Sequence, residues 1–260
     1  MIEAMVEAGF DDVLVANEVV DPGKIARLAA LARRARTAVA VDDPEPVAAL
    51  SREAVAAGVT IDVLIDVDIL LHRCGVPSAA VALELARQIE RLPGLRLRGV
   101  MGYEGRIRLR DENRTDKIVR AYAMLREALA DPTITELQCG VYALMEPELL
   151  IMDLPFRCAA SIRGTVISRH PGRVVLNAGR RVVGMEYGPP VPVGVAAESI
   201  WMSDEHATIA MPDPLPALGS QVDMTPGQIR TTFNLHDHVW LSRGGTLVDR
   251  WPITARGSSQ

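Results

Sequence analysis

The sequence predicts an α/β fold followed by a separate β domain, and three observations support this. Segments with the lengths of strands and helices alternate through the first half of the chain. The strand segments are mainly apolar, as expected for a parallel sheet covered by helices. After residue 153 the helical periodicity ends, and short strands separated by Gly/Pro turns follow. We therefore expect two domains, residues 1–153 and 154–260.

Capping residues mark the helices of the first domain. Asp21 and Asp43 each precede a proline at a helix start, Ser78 caps a third helix, and Gly58 follows a helix end. The predicted strands are residues 11–20, 37–43, 60–68, 95–105 and 134–145. The predicted helices are residues 21–35, 44–57, 78–92 and 114–130.

The second domain is predicted to contain only strands. Two of its segments, "SRHPGRVVL" and "SRGGTLVDRW", have the turn residues of β-hairpins. Further strands are expected within "SIWMS", "ATIAM" and "SQVDMTP".

Composition excludes several classes of protein. Hydrophobic residues make up 48% of the 260 residues and charged residues 23%, which is typical of a soluble globular protein. The net charge is −5 and no basic stripe is present, so we expect no nucleic-acid partner. The apolar runs are too short to span a bilayer, so we expect no membrane partner. Three widely spaced cysteines, Cys74, Cys139 and Cys158, indicate reduced thiols in the cytoplasm.

Polar side chains gather where the predicted strands end. Because ligands bind at the carboxyl edge of parallel sheets, these residues are candidates for a site. Each could equally mark the point where a strand leaves the core. The residues are Asn17, Glu18, Asp42, Asp43, Asp66, Asp68, Tyr103 and Glu104.

Several motifs, in order along nearly the whole chain, resemble those of one family. They include "DVLVANEVVDPGKIARLAALAR", "DVDILLHRCGV", "LRGVMGYEG", "TELQCGVYALM", "SDEHATI" and "TTFNLHDHVWLSRGGTLVDRWPITARG". The chain resembles the D-threonine aldolase and D-serine dehydratase-like enzymes, which are alanine-racemase-like, fold-type III pyridoxal-phosphate enzymes. The resemblance implies a β/α barrel followed by a β domain. It also implies a lyase for D-configured 3-hydroxy amino acids such as D-threonine or D-serine, commonly with a divalent metal.

The resemblance also implies cofactor-binding residues. Arg73 matches the family arginine near the cofactor ring, and Tyr103 a position at the barrel mouth. Gln138, Gly140 and Tyr142 match a stretch that borders the cofactor phosphate. Outside the family match, Arg73 would be read as a surface ion pair and the tyrosines as half-buried packing residues.

The family's Schiff-base lysine has no counterpart in the chain. In the family that lysine lies on a strand upstream of the segment matched by residues 11–18. Lys24 and Lys117 are the only lysines here, and both fall within predicted helices. The sequence therefore assigns no catalytic residue, and we expect pyridoxal phosphate binding to be compromised.

Two other parts of the family machinery also differ. The Gly-rich phosphate loop expected before residue 135 is missing, because a helix leads almost directly into "TELQCG". Gln228 and Arg230 occupy the two positions of the family's metal ligands, and an arginine repels a divalent ion. His236 and His238, two apart on a predicted strand, could form a new site, but they fit surface polar residues better, as does His206. We therefore expect no metal.

About five barrel strands are predicted, whereas the family fold has eight, so the fold class is a partial β/α barrel followed by a C-terminal β domain. We expect the first domain to form an open sheet, to pair with a partner such as a second copy, or to be truncated. The implied function is a pyridoxal-phosphate lyase that is inactive or incomplete. The alternatives are a non-catalytic interaction or oligomerisation module and a binder of a small acid.

Overall fold

The computed structural model describes residues 1–105, 107, 111–129 and 135–258. The chain divides into two compact units, Met1–Glu136 and Leu137–Gln260. Within the described residues, none of the helices has the length and apolar character needed to cross a membrane.

The first unit is a four-stranded parallel sheet in the order β1-β2-β3-β4, with helices in the connections. The strands are β1 (Asp12–Glu18), β2 (Arg36–Val41), β3 (Ile61–Asp66) and β4 (Leu95–Met101). The helices are α1 (Ile2–Glu7), α2 (Pro22–Leu31), α3 (Pro44–Ala57), α4 (Ala79–Ile89) and α5 (Arg114–Glu127). The predicted α/β class is confirmed, and α1 is a helix that the sequence patterns did not predict.

The predicted caps form the predicted bonds. The Asp21 side chain accepts from the Lys24 backbone N–H at 2.9 Å, and Asp43 accepts from Glu45 N–H at 2.8 Å. Gly58 ends α3 in the left-handed region, with φ +65°. These local bonds explain why the helix starts could be located from sequence.

The core of the first unit lies on the helix-covered face of the sheet. Ile61, Val63 and Ile65 of β3 are at most 1% exposed and cluster with Leu50 of α3 and Leu85 of α4. Alternation along β3 therefore places Asp62 and Asp66 on the opposite face.

The strand predicted at 134–145 is wrong for its described residues. Residue 134 lies outside the described part of the chain. Residues 135–140 have no regular structure, and Val141–Ala143 form a 3-10 turn. A strand needs a hydrogen-bonded neighbour, and none of the described strands pairs with this exposed segment.

In the second unit, the turn at Val141–Ala143 is followed by a 3-10 helix, Pro147–Met152, and then by antiparallel sheet. Six strands form a sheet in the order β7-β10-β5-β6-β9-β8, while among the described strands β11 and β12 pair only with each other. The strands are β5 (Ile162–His170), β6 (Arg173–Leu176), β7 (Val191–Pro192), β8 (Ser199–Met202), β9 (Ala207–Ala210), β10 (Gln221–Thr225), β11 (His238–Arg243) and β12 (Thr246–Pro252). A short helix, α6 (Ile229–Asn234), precedes β11.

Both predicted hairpins are confirmed. β5 and β6 pair antiparallel around Gly172, which has φ +74°. β11 and β12 pair antiparallel around Gly244 and Gly245, with φ +57° and +80°. Two consecutive residues with positive φ are what a tight hairpin turn requires, and glycine adopts that conformation without a steric penalty. The predicted class of a partial β/α sheet followed by a β domain is therefore confirmed.

Candidate functional site

The carboxyl edge of the parallel sheet brings together acidic side chains from successive strands. Glu18 ends β1, Asp42 follows β2 and Asp66 ends β3. The parallel register places Glu18 opposite Ala40, two residues before Asp42. Side chains that are 24 residues apart in sequence therefore become neighbours at one edge of the sheet.

The loop after β3 closes over this edge. Val67 and Val76 form a parallel bridge, and the Asp68 N–H donates to the Val76 carbonyl at 3.0 Å. The Gly75 N–H donates to Asp42 Oδ2 at 2.9 Å. Gly75 has φ +102°, and a Cβ there would lie 2.5 Å from the Asp68 nitrogen. The loop can take this path only with glycine at position 75.

Arg73 lies within this loop, in a backbone held by its neighbours. His72 has φ +55°, an uncommon value for a residue with a side chain. The Asp68 carboxylate accepts from the His72 backbone N–H at 2.9 Å and lies 2.7 Å from His72 Nδ1. Burial opposes ionisation of Asp68, but these bonds hold the pKa of its carboxyl below the usual value. The Asp68–His72 pair, which the sequence patterns did not identify, thus fixes the backbone directly before Arg73.

The predicted residues Arg73 and Tyr103 lie close together. The Arg73 guanidinium lies 5.6 Å from the centre of the Tyr103 ring, within the range of a cation–π interaction. Tyr103 follows β4 and is 48% exposed. The pair presents a planar cation at the edge of the sheet, which suits a carboxylate or another small anion.

The acidic groups at this edge have perturbed pKa values. Burial, the charge of Glu18 and a hydrogen bond with the Glu18 carboxyl raise the pKa of Asp66 to about 7, although Arg73 opposes the shift. A hydrogen bond with Glu18, together with burial, raises the pKa of the Cys74 thiol. The sequence indicates only that Cys74 is a reduced thiol, because no local pattern links it to Glu18.

The other predicted cofactor residues belong to the second unit. Gln138, Gly140 and Tyr142 are exposed, and the Tyr142 ring contacts Phe156 at 5.3 Å between centroids. Gly140 has φ −136°, a value open to any residue. The expected loss of the phosphate loop falls at residues 130–134, outside the described part of the chain.

The two lysines do not fit a Schiff-base site. Lys24 is exposed in the first turn of α2. Lys117 on α5 pairs with Asp111, with Nζ 2.9 Å from Oδ2. Imine formation needs an amine held beside the cofactor aldehyde, whereas one of these lysines is an exposed helix residue and the other is the partner of Asp111.

Gln228 and Arg230 serve the structure around α6. The Gln228 side chain accepts from the Thr231 N–H at 2.7 Å and caps the helix. The buried Glu146 carboxylate accepts from the Ile229 N–H at 3.0 Å, and Arg230 donates to the Tyr187 hydroxyl at 3.1 Å. The segment around Gln228 is therefore the capped start of α6.

The histidines of the second unit do not form a cluster suited to a metal within the described residues. His236 lies before β11 begins, and its Nε2 contacts the Val182 carbonyl at 2.8 Å. The predicted strand alternation with His238 is therefore wrong, because α6 and its turn occupy the preceding residues. His206 lines a cavity of about 400 Å³ beside Trp201 and Arg180.

Comparison with known proteins gives matches to two domain families. Residues 3–144 match the model described as "Alanine racemase, N-terminal domain", and residues 159–242 match "Putative serine dehydratase domain". D-threonine aldolase of Arthrobacter sp is 35% identical over 291 residues, covering 98% of this chain and 76% of the relative. 3-Hydroxy-D-aspartate aldolase of Paracoccus denitrificans (strain Pd 1222) is 30% identical over 294 residues, with the same two coverages of 98% and 76%.

A solved structure agrees with these matches. The crystal structure of D-threonine aldolase from Filomicrobium marinum superposes with a TM-score of 0.92 at 33% identity, covering 100% of this chain and 80% of that one. The aligned length of 291 residues with the Arthrobacter relative exceeds the 260 residues of this chain. The relative therefore has residues inside the aligned region that this chain lacks. The chain belongs to the alanine-racemase-like family that joins an alanine racemase N-terminal domain to a serine dehydratase-like domain and includes D-threonine aldolase and 3-hydroxy-D-aspartate aldolase.

Proposed function

We propose that this chain serves a pyridoxal-phosphate lyase that cleaves or dehydrates D-configured 3-hydroxy amino acids. The observation that carries the proposal is the match to D-threonine aldolase, 35% identical across 98% of the chain. A second relative acts on a different D-amino acid with a 3-hydroxyl group, 3-hydroxy-D-aspartate. The shared chemistry of the two substrates gives the substrate class, and the individual substrate is open between D-threonine, D-serine and their analogues.

We propose roles for the predicted site residues on the same basis. Arg73, fixed over Tyr103, would bind the anionic side of the cofactor ring or a substrate carboxylate. Gln138, Gly140 and Tyr142 would border the cofactor phosphate, as the family resemblance implies. All five assignments stand as proposals.

The lysine geometry limits what the chain does alone. Because Lys24 and Lys117 lie in exposed helical positions, we propose that these 260 residues form no imine and turn over no substrate by themselves. The lyase assignment therefore describes the protein's substrate class, and no catalytic step is assigned to a residue of this chain.

The test combines spectroscopy with ligand binding. Pyridoxal phosphate is added to the purified chain, and a Schiff-base absorption band that borohydride abolishes is sought, with the Arthrobacter D-threonine aldolase as positive control. We expect no such band. D-threonine should raise the melting temperature of this chain more than L-threonine does, and the shift should vanish in Arg73→Ala.

Two outcomes would contradict the proposal. A borohydride-sensitive band that disappears in Lys24→Ala or Lys117→Ala would show that the chain supplies its own amine. Equal responses to D- and L-threonine, or no response across a panel of 3-hydroxy amino acids, would remove the substrate class.

A second candidate is a non-catalytic interaction or oligomerisation module. The hairpin β11–β12 favours it, since Trp240, Leu247 and Trp251 are each more than half exposed. Size-exclusion chromatography with light scattering is the check, and a strictly monomeric chain would count against this candidate. We also propose that the chain is located in the cytoplasm, which cell fractionation would test.

A further inference from the structure

The hairpin of β11 and β12 is separate from the six-stranded sheet of the second unit. Among the described strands, each of the two pairs only with the other. Every residue of β12 is exposed, and Trp240 of β11 is 61% exposed. An isolated pair of strands is only marginally stable in water, and its outer edges can template pairing with a further strand. The hairpin is therefore a candidate surface for strand addition.

The alternation of hydrogen bonds defines which backbone groups of β11 point outward. The Ile253 N–H donates to the Asp237 carbonyl at 2.8 Å, directly before β11 begins. Hydrogen-bonded and non-hydrogen-bonded pairs alternate along an antiparallel ladder, so the next residue, His238, directs its N–H and C=O away from β12. Trp240 and Ser242 follow at steps of two residues and do the same. These three residues present a row of backbone donors and acceptors that none of the described strands uses.

The outer edge of β12 is protected against strand addition. Its outward-facing residues include Arg250 and Pro252, the register partners of Trp240 and His238. The Arg250 N–H donates to the Asp249 side chain at 2.7 Å, and proline has no N–H. Both features hinder pairing along an edge. Of the two edges of this hairpin, that of β11 is therefore the one suited to a partner strand.

The charges on β11 complement a second copy of the same strand. Asp237 lies three residues before Trp240, and Arg243 lies three residues after it. When two copies of β11 pair antiparallel about a two-fold axis at Trp240, each Arg243 lies opposite the Asp237 of the other copy. The Asp237 side chain is 72% exposed and contacts Arg256 through Oδ1 at 2.7 Å, so Oδ2 faces a new cation without loss of that contact.

The same register also matches the apolar side chains of β11. Trp240 lies beside its own copy on one face of the joined sheet, and half-buried Val239 lies opposite half-buried Leu241 on the other. Sliding the strands by two residues in one direction sets Arg243 opposite Val239. Sliding them in the other direction sets Asp237 opposite Leu241. Charge and apolar pairing therefore favour the register centred on Trp240.

We propose that β11 pairs antiparallel with β11 of a second copy of this chain and forms a four-stranded sheet across the two-fold axis. Trp240 would exchange two backbone hydrogen bonds with its own copy, and His238 would exchange two with Ser242. The proposal rests on oligomerisation, the second candidate function, and gives it a surface and a partner. It is independent of the lyase, because no Schiff base or substrate takes part in the pairing.

The experiment is sedimentation velocity of the full chain over a concentration series, with two charge variants of β11. Asp237→Arg sets an arginine opposite Arg243, and Arg243→Asp sets a carboxylate opposite Asp237. Each variant should dimerise at least about tenfold more weakly than the parent, because both contacts across the axis change from attraction to repulsion. An equal mixture of the two variants should restore the dimer, because opposite charges then face each other at both contacts.

The controls separate this pairing from damage to the fold. Arg169→Asp makes the same charge change at an exposed residue of β5 and should dimerise like the parent. Melting temperatures show whether each variant is folded. If Asp237→Arg unfolds because it loses the contact with Arg256, Trp240→Arg tests the same register, since it sets two arginines side by side at the axis.

The proposal is overturned if the folded charge variants dimerise like the parent, or if their mixture dimerises no better than either variant alone. The chain would then form its dimer through another surface, and the oligomerisation candidate would stand. A parent that is monomeric throughout the series overturns both the pairing and that candidate. Neither result affects the Schiff-base and thermal-shift tests of the lyase.

Discussion

Gly75 determines whether the loop that carries Arg73 and Cys74 can close on the sheet. Its φ of +102° is costly for any other residue, and an added Cβ would meet backbone atoms of Val67 and Asp68 within 2.8 Å. Backbone atoms cannot move aside as a flexible side chain can. The loop can therefore close on the sheet because glycine has a hydrogen atom where alanine has a methyl group.

Gly75→Ala should lower the free energy of unfolding by about 1–3 kcal/mol, the range for a residue held in a disfavoured backbone conformation. Urea unfolding measures it. Gly140→Ala is the matched control, because its φ of −136° suits alanine and nothing lies within 4 Å of the added carbon. Equal effects of the two substitutions would show that the loop geometry is wrong.

The side chain of Gln228 caps the start of α6. Gln228→Ala should destabilise the second unit by about 1 kcal/mol, as expected for the loss of an N-cap. His238→Ala, at an exposed residue of β11, is the control and should leave the unfolding free energy unchanged. A neutral Gln228→Ala would mean that Glu146 alone holds the start of α6.

At the scale of elements, Asp62 links three neighbouring strands near the amino end of the parallel sheet. Its carboxylate accepts from Arg96 at 2.6 and 2.9 Å and from Arg36 at 2.9 Å, linking β3 with β4 and β2. Burial favours the neutral acid, but these bonds hold the pKa of Asp62 below 3.8. The network therefore depends on Asp62 being ionised.

Since the pKa of Asp62 is lower in the folded than in the unfolded chain, its contribution to stability is present above pH 3.8 and is lost as pH falls through the folded value. Asp62→Asn should lower the free energy of unfolding at neutral pH by about 1–3 kcal/mol. It should also make the free energy of unfolding less dependent on pH in the acid range. Unfolding by urea at a series of pH values measures both. An acid profile of Asp62→Asn identical to that of the parent would contradict the assignment, and Asp116→Asn on α5 is the exposed control.

Pairing partners decide which segments become strands. β1 to β4 each have at least one hydrogen-bonded neighbour, and their apolar residues face helices. Residues 135–140, which were predicted as part of a strand, have no neighbouring strand in the described part of the chain, and they stay irregular. The hairpin β11–β12 persists as a pair because two glycines form its turn, although a lone pair of strands is only marginally stable.

At the scale of the whole molecule, we expect neither lysine to be required by the fold or by the candidate site. The double variant Lys24→Arg/Lys117→Arg should keep the free energy of unfolding within about 0.5 kcal/mol of the parent value, because both side chains are exposed and arginine preserves the pair with Asp111. D-threonine binding should also be unchanged, as measured by thermal shift. A loss of binding in this lysine-free chain would place one of the two amines at the site.

The sequence by itself determined the class of the fold, the starts of α2, α3 and α4, both hairpins and the family. Each of these depends on neighbours close in the chain, such as Asp21 with Lys24 or Gly244 with Gly245, or on motifs that keep their order. It also named Arg73 and Tyr103 as site residues through the family match, but their contact appears only in the structure.

Tertiary structure alone decided that Glu18, Asp42, Asp66 and Cys74 lie at one edge of the sheet. Parallel strands bring together residues separated by 24 or more positions, and no local pattern records which side chains will then be neighbours. Short-range steric and hydrogen-bond preferences can be recognised in the sequence, whereas burial and charge balance exist only once the register of the sheet is set.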